Sequence, residues 1–125
     1  MTMIQTRKAP QAVGAYSQGI LIENTLYVSG QLPLIPETMA MVVDDIKAQT
    51  TRCLENILAI VEAAGLSKHD IVRCGVFMTN LQEFAAMNDA YSTFFGEHKP
   101  ARAAVEVRAL PKQATIEIDA IAIKT

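Results

Sequence analysis

The sequence predicts an α+β fold: one domain over residues 1–125, with a mixed sheet carrying two helices on one face. Three observations carry this expectation. Short apolar, glycine-punctuated runs open the chain, and two β-patterned runs close it. Two stretches of helical periodicity lie between them. A further β-rich run separates those helices, giving the order β-β-α-β-α-β-β.

The first segment, Ala9 to Pro33, contains two strands. "GILI" is short and apolar, "EN" supplies a turn, and "TLYVSG" returns. Residues 34–43, "LIPETMAMVV", read as a loop leading to a helix. From Asp44 or Asp45 the period changes: Ile46, Cys53, Leu54, Ile57, Leu58, Val61 and Ala64 recur at three- and four-residue steps. The aspartates suit the N-terminus of that helix and Gly65 suits its end. Asp70 to Thr79 is rich in β-branched and apolar residues and reads as a buried strand. Asn80 opens the second helix, with Glu83 at capping-box spacing. Its stripe is Phe84, Met87, Asn88, Tyr91 and Phe95, and Gly96 ends it. "ARAAVEVRAL" and "ATIEIDAIAI" are the closing strands. A sheet covered on one side leaves a second face to cover, and burial against other copies in a closed symmetric oligomer is the economical solution.

Half of the residues are hydrophobic, which argues against disorder. The formal net charge is −2 with scattered Lys and Arg, so a nucleic-acid partner is not expected. No apolar run reaches membrane-spanning length, and "MTMIQTRKAP" has no apolar signal core. Cys53 and Cys74 are unclustered, which suits a reducing cytoplasm. His69 and His98 lack partners at metal-ligand spacing, so no metal is expected.

Four features are candidates for chemistry. Arg102 shares a strand face with Ala104, Glu106 and Arg108. It is either a solvated strand charge or a two-pronged receptor for a carboxylate, with small neighbours leaving room for a ligand. Glu117 and Asp119 share a face with Ile121 and Ile123, opposite Ile116, Ile118, Ala120 and Ala122. They mark either a solvent-facing stripe or a pocket in which one carboxylate activates water. Asn88, between Met87 and Tyr91, is either a core amide bonded to backbone or a ligand or subunit contact. Gly14, Gly19 and Gly30 serve turns and strand ends, or let a ligand reach bare backbone at Gly30. Neither "GAYSQG" nor "SGQLP" has the spacing of a phosphate-binding loop.

Together, "AP-A-GAYSQG", "YVSGQLP", "LENI-AIVEAAGLS--DIV", "F--MN--Y--FF" and "PARAAVEV-ALPK---IEI-AIAI" resemble, in order and nearly end to end, the RidA family, also called YjgF. The resemblance implies a chorismate-mutase-like α+β fold in a homotrimer, with ligand sites between subunits. In that topology the last strand inserts between earlier ones. The implied activity is cofactor-free hydrolysis of reactive 2-imino acids to 2-keto acids and ammonia. Arg102 would then hold the substrate carboxylate, and Glu117 would position or activate water. Tyr16 would wall the cleft, Gly30 and Ala104 would present backbone groups, and Ser29 and Asn88 would support them.

Several positions depart from the family's pattern. Ala104 stands where several bacterial relatives have cysteine, which excludes a thiol-dependent step. Gly-Ala-Tyr at 14–16 replaces the common Gly-Pro-Tyr, Asp119 a more usual glutamate, and Met39 a glycine that many members carry after the threonine. Two other functions remain to be weighed against the deaminase: a ribonuclease or translation inhibitor, and a non-catalytic sensor binding keto acids.

Overall fold

The computed structural model describes residues 1–125. Six strands form one sheet: β1 (Thr2–Ile4), β2 (Gly19–Ile22), β3 (Thr25–Gln31), β4 (Ile71–Met78), β5 (Ala101–Glu106) and β6 (Ile116–Ile123). Helices α1 (Ile46–Ala63) and α2 (Phe84–Phe95) connect β3 to β4 and β4 to β5. The sheet order is β1-β2-β3-β6-β4-β5. β6 runs antiparallel to both β3 and β4, and β4 is parallel to β5.

This order explains why both helices share a face. The crossovers β3-α1-β4 and β4-α2-β5 advance in the same direction across the sheet. Crossovers between parallel strands are right-handed, so the same advance puts both helices on the same side. The last strand fills the gap that the first crossover leaves.

Alternation in β6 matches that layering. Ile116, Ile118, Ala120 and Ala122 are buried toward the helices, while Glu117, Asp119 and Ile121 on the other face are only half-buried. The buried set joins Leu26 and Val28 of β3, Cys74, Val76 and Met78 of β4, and Leu54, Ile57, Ile60, Met87, Tyr91 and Phe95 of the helices in one core. The opposite face carries Tyr27, Val105 and Ile123, which are 50%, 44% and 38% exposed.

The capping chemistry of α1 follows its sequence. Asp45 accepts from the Ala48 amide at 2.9 Å. At the other end Gly65 takes φ +83°, its amide donates to Glu62 O and the Leu66 amide donates to Val61 O. That is a Schellman motif, closed by the buried Leu66 side chain.

Three expectations change. β1 is an additional strand, paired with β2 through Thr2↔Leu21 to Ile4↔Gly19; three residues are too few for any periodicity to declare itself. The closing strand expected over 101–110 stops at Glu106, because the chain then turns toward Pro111. The capping box expected at Asn80 and Glu83 does not form. Asn80 instead accepts from the Gln82 amide and opens one 3-10 turn, Leu81–Glu83, ahead of α2. No helix is long and apolar enough to cross a membrane.

Substituting Gly65→Ala tests the end of α1. A Cβ at Gly65 meets nothing within 4 Å, so the cost is that of the left-handed backbone alone. Urea denaturation should show a loss of about 1 kcal/mol; an unchanged midpoint would mean that the left-handed turn does not limit stability.

Candidate functional site

The residues singled out from the sequence fall into two groups on opposite faces of the sheet. Arg102 is in register with Cys74, and Cys74 with Ala120, a row that points toward the helices. Glu117 is in register with Phe77, in the row that points away from them. β4 lies between the two strands, so they are about 10 Å apart as well as oppositely directed. Within one chain the two side chains cannot converge on a small ligand.

The first group sits where β5 meets α2. Arg102 Nη1 donates to Asn88 Oδ1 at 2.8 Å. The guanidinium carbon lies 4.8 Å from the Tyr91 ring centroid and 5.4 Å from that of Phe84. Phe84, Asn88 and Tyr91 are spaced i, i+4, i+7, so one stripe of α2 forms the seat. Two aromatic faces and one amide hold the cation while its remaining donors stay exposed to solvent. Asn88 is therefore neither bonded to core backbone nor free: its oxygen orients Arg102. Ala104 follows on the same face, half-buried. The nearest thiol in that row, Cys74, is buried beneath Tyr91, and burial pushes it up to about 11, so it offers no thiolate at neutral pH.

The second group lines a cleft of about 490 Å³ that contains Tyr16, Ser29, Gly30, Met39, Lys112 and Glu117. Ser29 and Gly30 fall in an irregularity of the β3–β6 pairing between Val28 and Gln31, which frees backbone at that point. A Cβ at Gly30 would overlap Glu117 Oε2, so the bare glycine leaves the carboxyl the room it occupies. Ser29 Oγ donates to Ser17 O at 2.6 Å and its amide donates to Gln18 O at 2.9 Å, tying β3 to the segment bearing Tyr16. Tyr16 is 52% exposed at the cleft mouth. Burial raises the Glu117 carboxyl above its ordinary value, and the negative charge of Asp119 raises it further. Asp119 itself accepts from the Gly75 amide at 3.0 Å.

Two buried amides that sequence reasoning passed over shape this cleft. Gln18 donates to Thr6 O, Ala9 O and Pro10 O and accepts from the Thr6 amide, which fastens the N-terminal segment along one side. Asn56, fully buried in α1, donates to Leu32 O and Leu34 O and fastens the segment after β3. Asn56 stands in the apolar period of α1, a polar residue between Cys53 and Ile60, and that was the available signal. Gln18 carries no such signal.

A larger open cleft, about 990 Å³, runs along the N-terminal segment and also borders Tyr16. Its lining includes Arg7 and Glu37 but neither Arg102 nor Glu117. His69 and His98 do approach one another, with ring centroids 5.7 Å apart. No group of three or more His, Cys, Asp or Glu side chains is placed to hold a metal ion.

Comparisons with known proteins agree with this architecture. Residues 6–124 match the family model described as Endoribonuclease L-PSP. A RutC family protein of Pyrococcus abyssi is 52% identical over 122 residues, spanning 98% of this chain and 96% of that protein. The 2-iminobutanoate/2-iminopropanoate deaminase of Salmonella typhimurium is 48% identical over 124 residues, spanning 97% of this chain and 96% of the deaminase. The crystal structure of E. coli TdcF with bound serine has a TM-score of 0.96 at 42% identity and covers 100% of both chains. The protein thus belongs to the Endoribonuclease L-PSP family, the family of the RutC and RidA (YjgF) proteins.

Proposed function

We propose that the protein is a cofactor-free deaminase that hydrolyses 2-imino acids of the 2-iminobutanoate and 2-iminopropanoate type to 2-keto acids and ammonia. One observation carries the reading: a seated arginine with free donors and a carboxylate of raised pKa occupy separate, complementary halves of the molecule. The name of the Salmonella relative supports the chemistry. Serine bound to TdcF supports a ligand with an α-carboxylate beside a nitrogen-bearing carbon.

The two halves unite when the Arg102 patch of one copy meets the Glu117 cleft of the next. Different patches in contact make a heterologous interface, which closes into a ring when the rotation permits. A homotrimer is the proposed ring, with the Tyr27, Val105 and Ile123 face covered inside it.

In that site Arg102 holds the substrate carboxylate with paired hydrogen bonds and thereby fixes C2. Asn88 and the two rings keep the guanidinium in place. Tyr16 closes one wall, and backbone groups of Gly30 and Ala104 border the substrate with Ser29 in support. Glu117, as the carboxylate, favours the protonated imine and takes a proton from water as the C–O bond forms at C2. It returns that proton to nitrogen, the C–N bond breaks, ammonia leaves, and the hydroxyl proton is lost as the C=O bond forms. The imine is already electrophilic, so positioning and one base suffice.

The family description favours a second reading, an endoribonuclease. The net charge of −2 weighs against it, since phosphate binding draws on positive charge. A keto-acid sensor would use the same site without turnover.

Imine generated by a pyridoxal-phosphate dehydratase from threonine, with the remainder trapped by semicarbazide, separates these readings. Wild type should clear imine, and Arg102→Ala should lose about a hundredfold in kcat/KM while remaining folded. Clearance by Arg102→Ala at the wild-type rate would refute the carboxylate receptor. Cleavage of RNA by highly purified protein, lost in Glu117→Gln, would favour the ribonuclease.

The pH profile gives an independent check. The working form of Glu117 is ionised, so activity falls as pH drops through its raised pKa. Removing the neighbouring charge with Asp119→Asn should move that acid limb to lower pH, though not to the ordinary glutamate value, because burial remains. An unmoved limb would show that Glu117 is not the titrating group.

A further inference from the structure

We infer that Met39 sets the substrate class of the Glu117 cleft, favouring 2-imino acids with long or branched apolar side chains. The inference rests on the proposed function and adds what occupies the rest of the cleft. Met39 adopts φ 62°, in the left-handed region. That conformation is strained for a non-glycine residue, and such outliers persist where the surroundings over-determine them. Glycine would adopt it without strain.

The surroundings are specific. The Met39 amide donates to Ile35 O at 2.7 Å, the Ile35 amide to Ala40 O at 2.9 Å, and the Val42 amide to Pro33 O at 2.8 Å. Leu34 pairs with Met41 across the loop, and Asn56 and Gln49 of α1 bind its two ends through Leu34 O and Val42 O. A backbone held at so many points dictates where the side chain goes. It is half-buried and lines the cleft beside Val13, Leu32 and Leu34, an apolar wall in a lining that also includes Gln31, Lys112 and Glu117.

The lining agrees: Met39, Val13, Leu32 and Leu34 give the cleft an apolar wall against which an aliphatic side chain can pack. Methionine is unbranched and polarizable, so it packs against varied apolar shapes rather than one. The class favoured is therefore broad: straight or branched aliphatic side chains.

The test compares two stable keto acids, pyruvate and 4-methyl-2-oxopentanoate, for binding to wild type and to Met39→Gly by calorimetry. Hydrolysis of the corresponding imines, made in place from alanine and leucine by an amino-acid oxidase, is measured in parallel. Wild type should prefer the longer acid, and Met39→Gly should reduce the long-to-short ratio about tenfold in both measurements. An unchanged ratio, absence of binding, or a change in oligomer mass with equal loss for both acids would overturn the inference. Glu117→Gln keeps it separable from the proposed function. If that variant still turns imine over, the catalytic reading fails, while the binding ratio continues to report on Met39.

Discussion

The insertion of β6 between β3 and β4 is the constraint on which the rest of the structure depends. Its alternation must satisfy two layers at once. Ile116, Ile118, Ala120 and Ala122 complete the core beneath α1 and α2, and the same period sends Glu117 and Asp119 to the far face. A shift of one residue would bury two carboxylates under the helices and expose Ile116 and Ile118. Burial of the apolar set therefore fixes the catalytic candidate's direction without any interaction of its own. Glu117 has no strong partner of its own; it sits against Gly30, at a break in strand pairing, with a like charge as neighbour.

The same layering gives Arg102 the opposite direction. As an edge-strand residue turned toward α2, it meets a helix flank rather than the core, and Phe84, Asn88 and Tyr91 hold it there. Preorganisation differs between the two halves. The cation is oriented by side chains of a single helix, whereas the carboxylate cleft is shaped by loops that two buried amides, Gln18 and Asn56, fasten to the scaffold. Both arrangements place reactive groups by means of residues that do not themselves react.

Much of this was legible in the sequence because it rests on local period. The stripe of α1, the turn at Glu23–Asn24, and the two-faced pattern of "IEIDAIAI" each reflect neighbours within a few residues. Composition and period alone could not decide whether Arg102 was solvated or aimed; the signature around it favoured a receptor, and in the structure the guanidinium rests on α2 against Asn88 and two rings. What escaped depends on distant partners. β1 becomes a strand only because β2 offers an edge. Asn80 caps a 3-10 turn while Glu106, from another strand, accepts from the Leu81 amide. The division of the site is a property of strand order, since the face of Arg102 relative to Glu117 depends on which strand separates them.

The central claim, that one active site draws Arg102 and Glu117 from different copies of the chain, is tested most directly by complementation. Arg102→Ala and Glu117→Gln chains, each inactive alone, are co-expressed in equal amounts so that they assemble together. In a ring of three with random mixing, one intact site arises in every mixed assembly, restoring about a quarter of the wild-type activity. Activity no higher than that of either variant alone, in assemblies verified to contain both chains, would contradict the account and show that Arg102 and Glu117 do not share a site across the interface.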